Sequence, residues 1–157
     1  NNINSPDDLK KLNNDELPVL CDEIRGCLID TISKNGGHLA SNLGVVELSV
    51  ALHREFNSPV DSILFDVGHQ CYTHKLLTGR YDKFKTIRTE EGLSGFMRPD
   101  ESEHDPFVTG HSSNAISAAL GICKAKKLKN EDGYTIAVVG DGAMTGGMVF
   151  EGLNNAG

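Results

Sequence analysis

The apolar positions of the chain follow two periodicities in turn. From Pro18 onward, Leu20, Ile24, Cys27, Leu28 and Ile32 recur three and four residues apart, the stripe of an amphipathic helix. Gly36-Gly37 stops it, as glycines at helix carboxyl ends do. A second helix is predicted from Val45 to about Phe56, opened by Asn42 or Gly44, with Leu48, Leu52 and Phe56 on one face and His53 in a structural place. Two short runs are β-rich instead. Residues 63–67 read Ile-Leu-Phe-Asp-Val, and residues 134–139 read Tyr-Thr-Ile-Ala-Val-Val without a charge, which predicts a strand buried on both faces. Helices are predicted after them: one carrying Tyr72, Leu76 and Leu77, one from Asn114 to about Lys129, and one from Gly146-Gly147 through Phe150 toward Asn155. In the second of these, Ala115, Ala118, Ala119 and Gly121 make a thin face suited to close packing on a sheet. Residues 1–17 are polar, anchored by Leu9, Leu12 and Leu17, and read as a short helix or an arm lying on a larger body. Residues 79–109 follow neither period. Gly79, Gly92, Gly95, Pro99 and Pro106 interrupt them, a charged run spans Asp100 to Asp105, and a functional loop or mobile lid is expected there. Strands alternating with helices predict an α/β fold, a mostly parallel open sheet with helices on both faces.

Composition narrows the class. The 157 residues are 38% hydrophobic and 24% charged, enough for one domain with a core. A net charge of −7 without a basic stripe argues against nucleic acid as the main partner. Lys124, Lys126, Lys127 and Lys129 cluster at a helix end, where cations suit the dipole. No apolar run approaches membrane-spanning length and the polar start is no signal peptide, so a soluble, cytoplasmic protein is the expectation. Cys21, Cys27, Cys71 and Cys123 lack C-x-x-C spacing, and reduced thiols are expected rather than a zinc or redox site.

The chemistry concentrates where strands end. After the run 134–139, Gly140-Asp141-Gly142 places one carboxylate between two glycines at the strand's carboxyl end, the edge where open α/β sheets bind ligands. Asp141 is a hard-cation ligand, and the helix beginning at Gly146-Gly147 suits an anion, which suggests a magnesium–phosphate site. A Walker loop would need Gly-Lys-Ser/Thr, which is absent. A dinucleotide fingerprint would need different spacing from Gly140, Gly142 and Gly146, with an acid about 20 residues on. An ordinary strand-to-helix turn capped by Asp141 also remains open. Residues 63–67 likewise run into Gly68-His69-Gln70. His38, behind Gly36-Gly37, can project into a cleft and move protons near neutral pH, or be a surface residue past a helix stop. Ser112 or Ser113 can cap the helix that follows Gly110-His111, whose amino end offers a second phosphate seat. Asp66 reads as a structural hydrogen-bonding residue.

Taken together, Gly36-Gly37-His38-Leu39-Ala40-Ser41, Asp66-Val67-Gly68-His69-Gln70, Gly110-His111-Ser112-Ser113 and Gly140-Asp141-Gly142-Ala143-Met144-Thr145-Gly146 resemble the thiamine-diphosphate enzymes of the transketolase type, and most of all the 1-deoxy-D-xylulose-5-phosphate synthase family. The resemblance covers nearly everything from Pro18. It implies a thiamine-diphosphate-binding fold, with residues 18–157 as the N-terminal part of the cofactor-binding domain after an arm at 1–17. It implies Mg²⁺ on Asp141, backbone contacts to thiamine diphosphate from Gly142 and Ala143, and a cofactor site lined by Gly110, His111 and Ser112. His69 would contact the cofactor near the reacting carbon, and His38 would bind substrate and transfer protons. The implied reaction condenses pyruvate with D-glyceraldehyde 3-phosphate in a homodimer and serves isoprenoid, thiamine and pyridoxal synthesis. Transketolase and a non-catalytic cofactor-binding subunit are the alternatives. Cys71 and Thr73 stand where the family pattern has Ala and Pro, and neither removes a titratable group. The asparagine that completes the family's metal site, and the glutamate that activates the cofactor, would both lie past Gly157. Asn154-Asn155 read as capping residues instead. The resemblance therefore implies a piece of a longer enzyme that binds the cofactor poorly alone.

Overall fold

The computed structural model describes residues 3–108 and 110–157. The first two residues of the expected arm, and Thr109 at the end of the expected loop, lie outside the described residues. The fold is α/β, with a small parallel sheet. It divides into two compact units, Asn1–Phe56 with His69–Gly95, and Asn57–Gly68 with Phe96–Gly157. Among the described residues, no helix is long and apolar enough to cross a membrane.

The first unit is helical. α1 (Pro6–Lys10) starts at Ser5, whose hydroxyl accepts from the Asp8 N–H at 3.3 Å, with Pro6 in the first turn, where its missing N–H costs nothing. A 3-10 turn at Asn14–Glu16 is closed by the Asn13 N–H donating to Glu16 at 2.7 Å. α2 (Leu17–Asn35) buries Ile24, Leu28 and Ile32 of the predicted stripe with Cys21 beside them, while Leu20 and Cys27 are half-buried. It ends at Gly36, φ 75°, a left-handed conformation that glycine adopts without strain. A short helix that the periodicity does not predict, α3 (Leu39–Leu43), precedes the expected second helix, α4 (Val46–Glu55). Its buried face also differs from the leucine stripe: Val46, Ser49, Val50 and His53 point inward, while Leu48 is 45% exposed. His53 can occupy that face because its Nε2 meets His74 Nδ1 at 2.8 Å, which gives each ring a partner inside the core. α5 (Tyr72–Lys75) carries His74 and runs into one wide turn, Leu76–Arg80, broken at Thr78 and Gly79. Phe84, Ile87 and Leu93 are buried, so this part of the expected lid is anchored to the core. Gly92 is obligatory there, since a Cβ would lie 1.8 Å from the Thr86 carbonyl oxygen.

The second unit holds the sheet. β1 (Ser62–Phe65) and β2 (Thr135–Val138) are parallel, with Ile63 opposite Ile136 and Phe65 opposite Val138. Every residue of β1 is buried, whereas β2 is half-buried and Tyr134 beside it is 70% exposed. The expectation that 134–139 is a strand buried on both faces is thereby corrected. Among the described residues each strand has one strand partner, the other, and it is β1 that is buried throughout. Asp61 ties the strands' amino ends by accepting from the Asn57 and Tyr134 N–H groups at 2.5 and 2.6 Å. Lys126 donates to the Val60 and Tyr134 carbonyls at 2.6 and 3.1 Å, which gives one member of the lysine cluster a structural place. α6 (Ala115–Lys129) packs on both strands and on α7 (Gly147–Ala156). The tight approach between the two helices is made by Gly152, where a Cβ would meet Ile116 and Ser117 at 3.0 Å, and not by Gly121, which faces open space. Met97 and Asp105 are buried, the latter accepting from the Arg98 N–H at 2.8 Å. Asn155 lies inside the last turn of α7 and bonds the Glu151 carbonyl at 2.8 Å instead of capping from outside.

Candidate functional site

Because the two strands are parallel, their carboxyl ends share one edge of the second unit. β1 runs out into Asp66, 1% exposed, whose Oδ1 accepts the Ala115 N–H at 3.1 Å. The residue before α6 is Asn114, which makes no side-chain cap, so the helix start is held by the Asp66 carboxylate and not by the serine cap that the sequence suggests. Val67 follows with φ 61°, a costly conformation for a β-branched residue, closed by the Gly68 N–H donating to the Asp66 carbonyl at 2.7 Å.

β2 runs out into Gly140-Asp141-Gly142. The Met144 N–H donates to the Gly140 carbonyl at 3.1 Å, and a 3-10 turn, Ala143–Thr145, leads into α7. The Thr145 N–H and hydroxyl both reach the Gly142 carbonyl, at 3.2 and 2.7 Å. Asp141 is exposed. A Cβ on Gly140, Gly142 or Gly147 would touch nothing within 4 Å, so no neighbouring part of the chain requires glycine at these places. Their bare backbone leaves room for a ligand to approach closely. Gly146 is different, since a Cβ there would lie 2.8 Å from Ser113 Oγ and 3.1 Å from its Cβ. That contact seats the 110–113 segment on the Asp141 loop. Ser113 itself has φ 51°, and the Ser112 N–H donates to the Gly110 carbonyl at 2.7 Å. His111 is exposed, its ring edge-on to Phe96 with centroids 6.4 Å apart. Asn114 Oδ1 is buried without a hydrogen-bond partner.

The first unit carries a separate constellation. His38, at the start of α3, and His69 lie with ring centroids 5.0 Å apart and planes at 65°. Between their backbones sits Asn42, 0% exposed. Its Nδ2 donates to the carbonyls of His38 and His69, at 2.6 and 2.9 Å, and its Oδ1 accepts the Tyr72 N–H at 2.9 Å.

A family model described as 1-deoxy-D-xylulose-5-phosphate synthase matches residues 1–157. The chain belongs to that family. Among its curated relatives, the synthases of Alkaliphilus oremlandii and an Anaeromyxobacter species are each 62% identical over 155 residues, 99% of this chain and 25% and 24% of theirs. The synthase of Caldanaerobacter subterraneus is 61% identical with the same coverage of this chain. The chain thus spans about a quarter of the length of these synthases.

Against that background the candidate residues fall into two sets. His38 and His69 come together in the first unit. Gly110, His111, Ser112, Asp141, Gly142 and Ala143 belong to the second, where Ser113 and Gly146 join their two segments. Among the described residues, no group of three or more His, Cys, Asp or Glu side chains could hold a metal ion. Asn42 is the residue whose part in this constellation sequence reading missed, whereas Asp66 is the structural hydrogen-bonding residue that the sequence suggests. Asn42 was read only as a helix opener. A polar residue held between two glycine-rich segments, Gly36-Gly37 and Gly44, was the available signal.

Proposed function

We propose that this chain is the N-terminal part of an enzyme that condenses pyruvate with D-glyceraldehyde 3-phosphate, releasing carbon dioxide and giving 1-deoxy-D-xylulose 5-phosphate. The observation that carries the reading is one exposed aspartate between two open glycines at the carboxyl end of a parallel strand, in a synthase-family chain. Magnesium uses one or two carboxylates and completes its shell with phosphate oxygens and water. A single Asp141 beside the amino end of α7 suits that division of ligands, with the diphosphate of thiamine diphosphate on the helix start. Gly142 and Ala143 would offer backbone to the diphosphate, and Gly110, His111 and Ser112 would line the cofactor. The buried Asn114 Oδ1 supplies an unused acceptor beside them. When bound, thiamine diphosphate supplies a carbon nucleophile and an electron sink for the decarboxylation.

The histidines handle protons. His38 binds substrate and carries a proton to and from its oxygen, and His69 faces the reacting carbon. Nδ1 of His38 is buried and makes no hydrogen bond within the chain. The enzyme is read as a cytoplasmic homodimer serving isoprenoid, thiamine and pyridoxal synthesis. The acidic composition and scattered cysteines support the cytoplasmic part of that reading.

The test is made on the full-length enzyme. Pyruvate-dependent release of carbon dioxide that requires glyceraldehyde 3-phosphate is expected, and His38→Ala and His69→Ala should each lower kcat roughly a hundredfold with melting temperature nearly unchanged. Asp141→Asn should raise the Mg²⁺ concentration needed for half activity. Two-carbon transfer from a ketose phosphate without carbon dioxide would instead indicate a transketolase. Loaded enzyme without turnover would indicate a non-catalytic subunit. Parallel losses of activity and melting temperature in both histidine variants would remove their catalytic role. Titration calorimetry on the 157-residue chain should detect no tight binding of thiamine diphosphate with Mg²⁺.

A further inference from the structure

The histidine pair has a keystone that touches neither imidazole. Asn42 is fully buried and makes three hydrogen bonds to two backbone segments: to the carbonyl of His38, and to the carbonyl of His69 and the N–H of Tyr72. The two histidines stand 31 positions apart in sequence, yet one carboxamide bonds the peptide group of each. A carboxamide is the one neutral side-chain group that presents two donors and an acceptor in a fixed plane. A serine or threonine could serve one carbonyl but not both, and a carboxylate would face two carbonyl oxygens with acceptors only.

We propose that Asn42 is a positioning residue for the reaction: it fixes the separation and mutual angle of the His38 and His69 rings by holding their two carbonyls on one amide. This rests on the reading of His38 and His69 as the proton-handling pair. Ring centroids at 5.0 Å with planes at 65° are reached through rigid backbone on both sides. Neighbouring features restrict that backbone further. Gly37 has φ 145°, and a Cβ there would press on Tyr72 Oη at 3.0 Å, so the segment carrying His38 is seated directly against the side chain whose N–H Asn42 also holds. Tyr72 in turn is pinned edge-on to Phe84, with centroids 6.1 Å apart. Removing the amide leaves each histidine tethered from its own side only. Catalytic groups displaced by about an ångström lose up to roughly a hundredfold in rate, because the correct geometry is no longer prepaid.

The experiment is a double-mutant cycle in the full-length enzyme, with kcat, the KM for each substrate, the pH–rate profile and melting temperature recorded for every variant. Asn42→Ala should lower kcat roughly ten- to a hundredfold while both KM values stay within about twofold. Its pH–rate limbs should shift, since the imidazoles no longer share one environment. In a His38→Ala or His69→Ala background, adding Asn42→Ala should cost almost nothing further, because residues that act as one unit are not additive. Asn42→Gln, which keeps the amide but lengthens the arm, should restore part of the lost kcat. If Asn42→Ala yields no soluble enzyme, Asn42→Ser is carried through the same cycle. A full additional loss of kcat in the histidine-deficient backgrounds, or an unshifted pH profile with lowered melting temperature alone, would overturn the proposal and leave Asn42 a structural residue. If the single histidine variants keep wild-type turnover, the histidine reading has failed, and the cycle reports that separately from any failure of Asn42.

Discussion

Gly146→Ala tests whether the segment 110–113 truly rests on the Asp141 loop. The backbone at Gly146 has φ −74° and ψ 138°, ordinary values for alanine, so the substitution strains no torsion. The damage is steric. The new Cβ would stand 2.8 Å from Ser113 Oγ, 3.1 Å from Ser113 Cβ and 3.2 Å from the Ala143 carbonyl oxygen. Overpacking of this kind costs about 1–3 kcal/mol, while replacing glycine returns about 0.4–1 kcal/mol by stiffening the unfolded chain. A net loss of roughly 1–2 kcal/mol follows from the two. Ser113→Gly removes both crowded atoms and relieves a φ of 51°, at an entropic cost of similar size, so alone it should change stability little. The double variant should recover most of the Gly146→Ala loss, a coupling of about 1–2 kcal/mol. Urea unfolding of the four proteins, with unchanged m-values, gives these differences as midpoint shifts. Additivity within about 0.5 kcal/mol would mean that the two segments do not touch as described. In the full-length enzyme, Gly146→Ala should also raise the cofactor concentration needed for half activity, and Ser113→Gly should lower it again.

Asp66→Ala strips the Ala115 N–H of its buried acceptor and should cost about 2–3 kcal/mol, with faster hydrogen exchange at Ala115; Asp66→Asn keeps an acceptor and should cost less than half of that, and equal losses would refute the cap. Thiol labelling should find exposed Cys123 first and Cys27 more slowly, because burial pushes its thiol above the usual range; Cys21, pushed up the same way, and buried Cys71 should react only on unfolding. The Arg25 guanidinium bonds Glu47 and holds its carboxyl below the ordinary glutamate value. The stability from that pair is present above the unfolded glutamate pKa and is lost as pH falls through the lowered folded value. Both groups are largely exposed, so the effect is small, and Glu47→Gln should flatten this part of the acid limb in urea titrations at successive pH values.

Periodicity made α2, α6, α7 and both strands legible because each rests on a local pattern of apolar spacing. It misjudged α4, where Leu48 and Leu52 form the more apolar stripe but the buried face holds Ser49 and His53. For His53 that choice is made by a partner 21 residues further on, since His74 gives its ring a partner inside the core. Likewise the chargeless run 134–139 reads as a strand buried on both faces, yet β2 is half-buried. Burial there depends on what packs against each strand, and no window of sequence contains that. The Asp141 loop could be found from its glycines, because close approach and sharp turning leave a compositional mark. The glycines around Asn42 mark only a turn-rich segment, because its bonds to His69 and Tyr72, 27 and 30 positions on, fall outside any local window.

The same reasoning locates what sets the precision of the Asp141 loop. β1 is flanked by two buried aspartates, and both accept backbone N–H groups, Asp61 from Asn57 and Tyr134, and Asp66 from Ala115. Asp61 aligns the amino ends of the strands through Tyr134. Asp66 fixes the first residue of α6, and through the chain itself the two residues before it, Asn114 and Ser113. Ser113 then bears on Gly146, which begins α7 and closes the loop that carries Asp141. Every link in that sequence is a hydrogen bond, a peptide bond or a contact at van der Waals distance, so a displacement of Ala115 is passed on to Asp141 with little slack. On the proposed assignment of Mg²⁺ to Asp141, loosening Asp66 should raise the Mg²⁺ concentration needed for half activity, as Asp141→Asn should, although the two side chains sit at the ends of different strands.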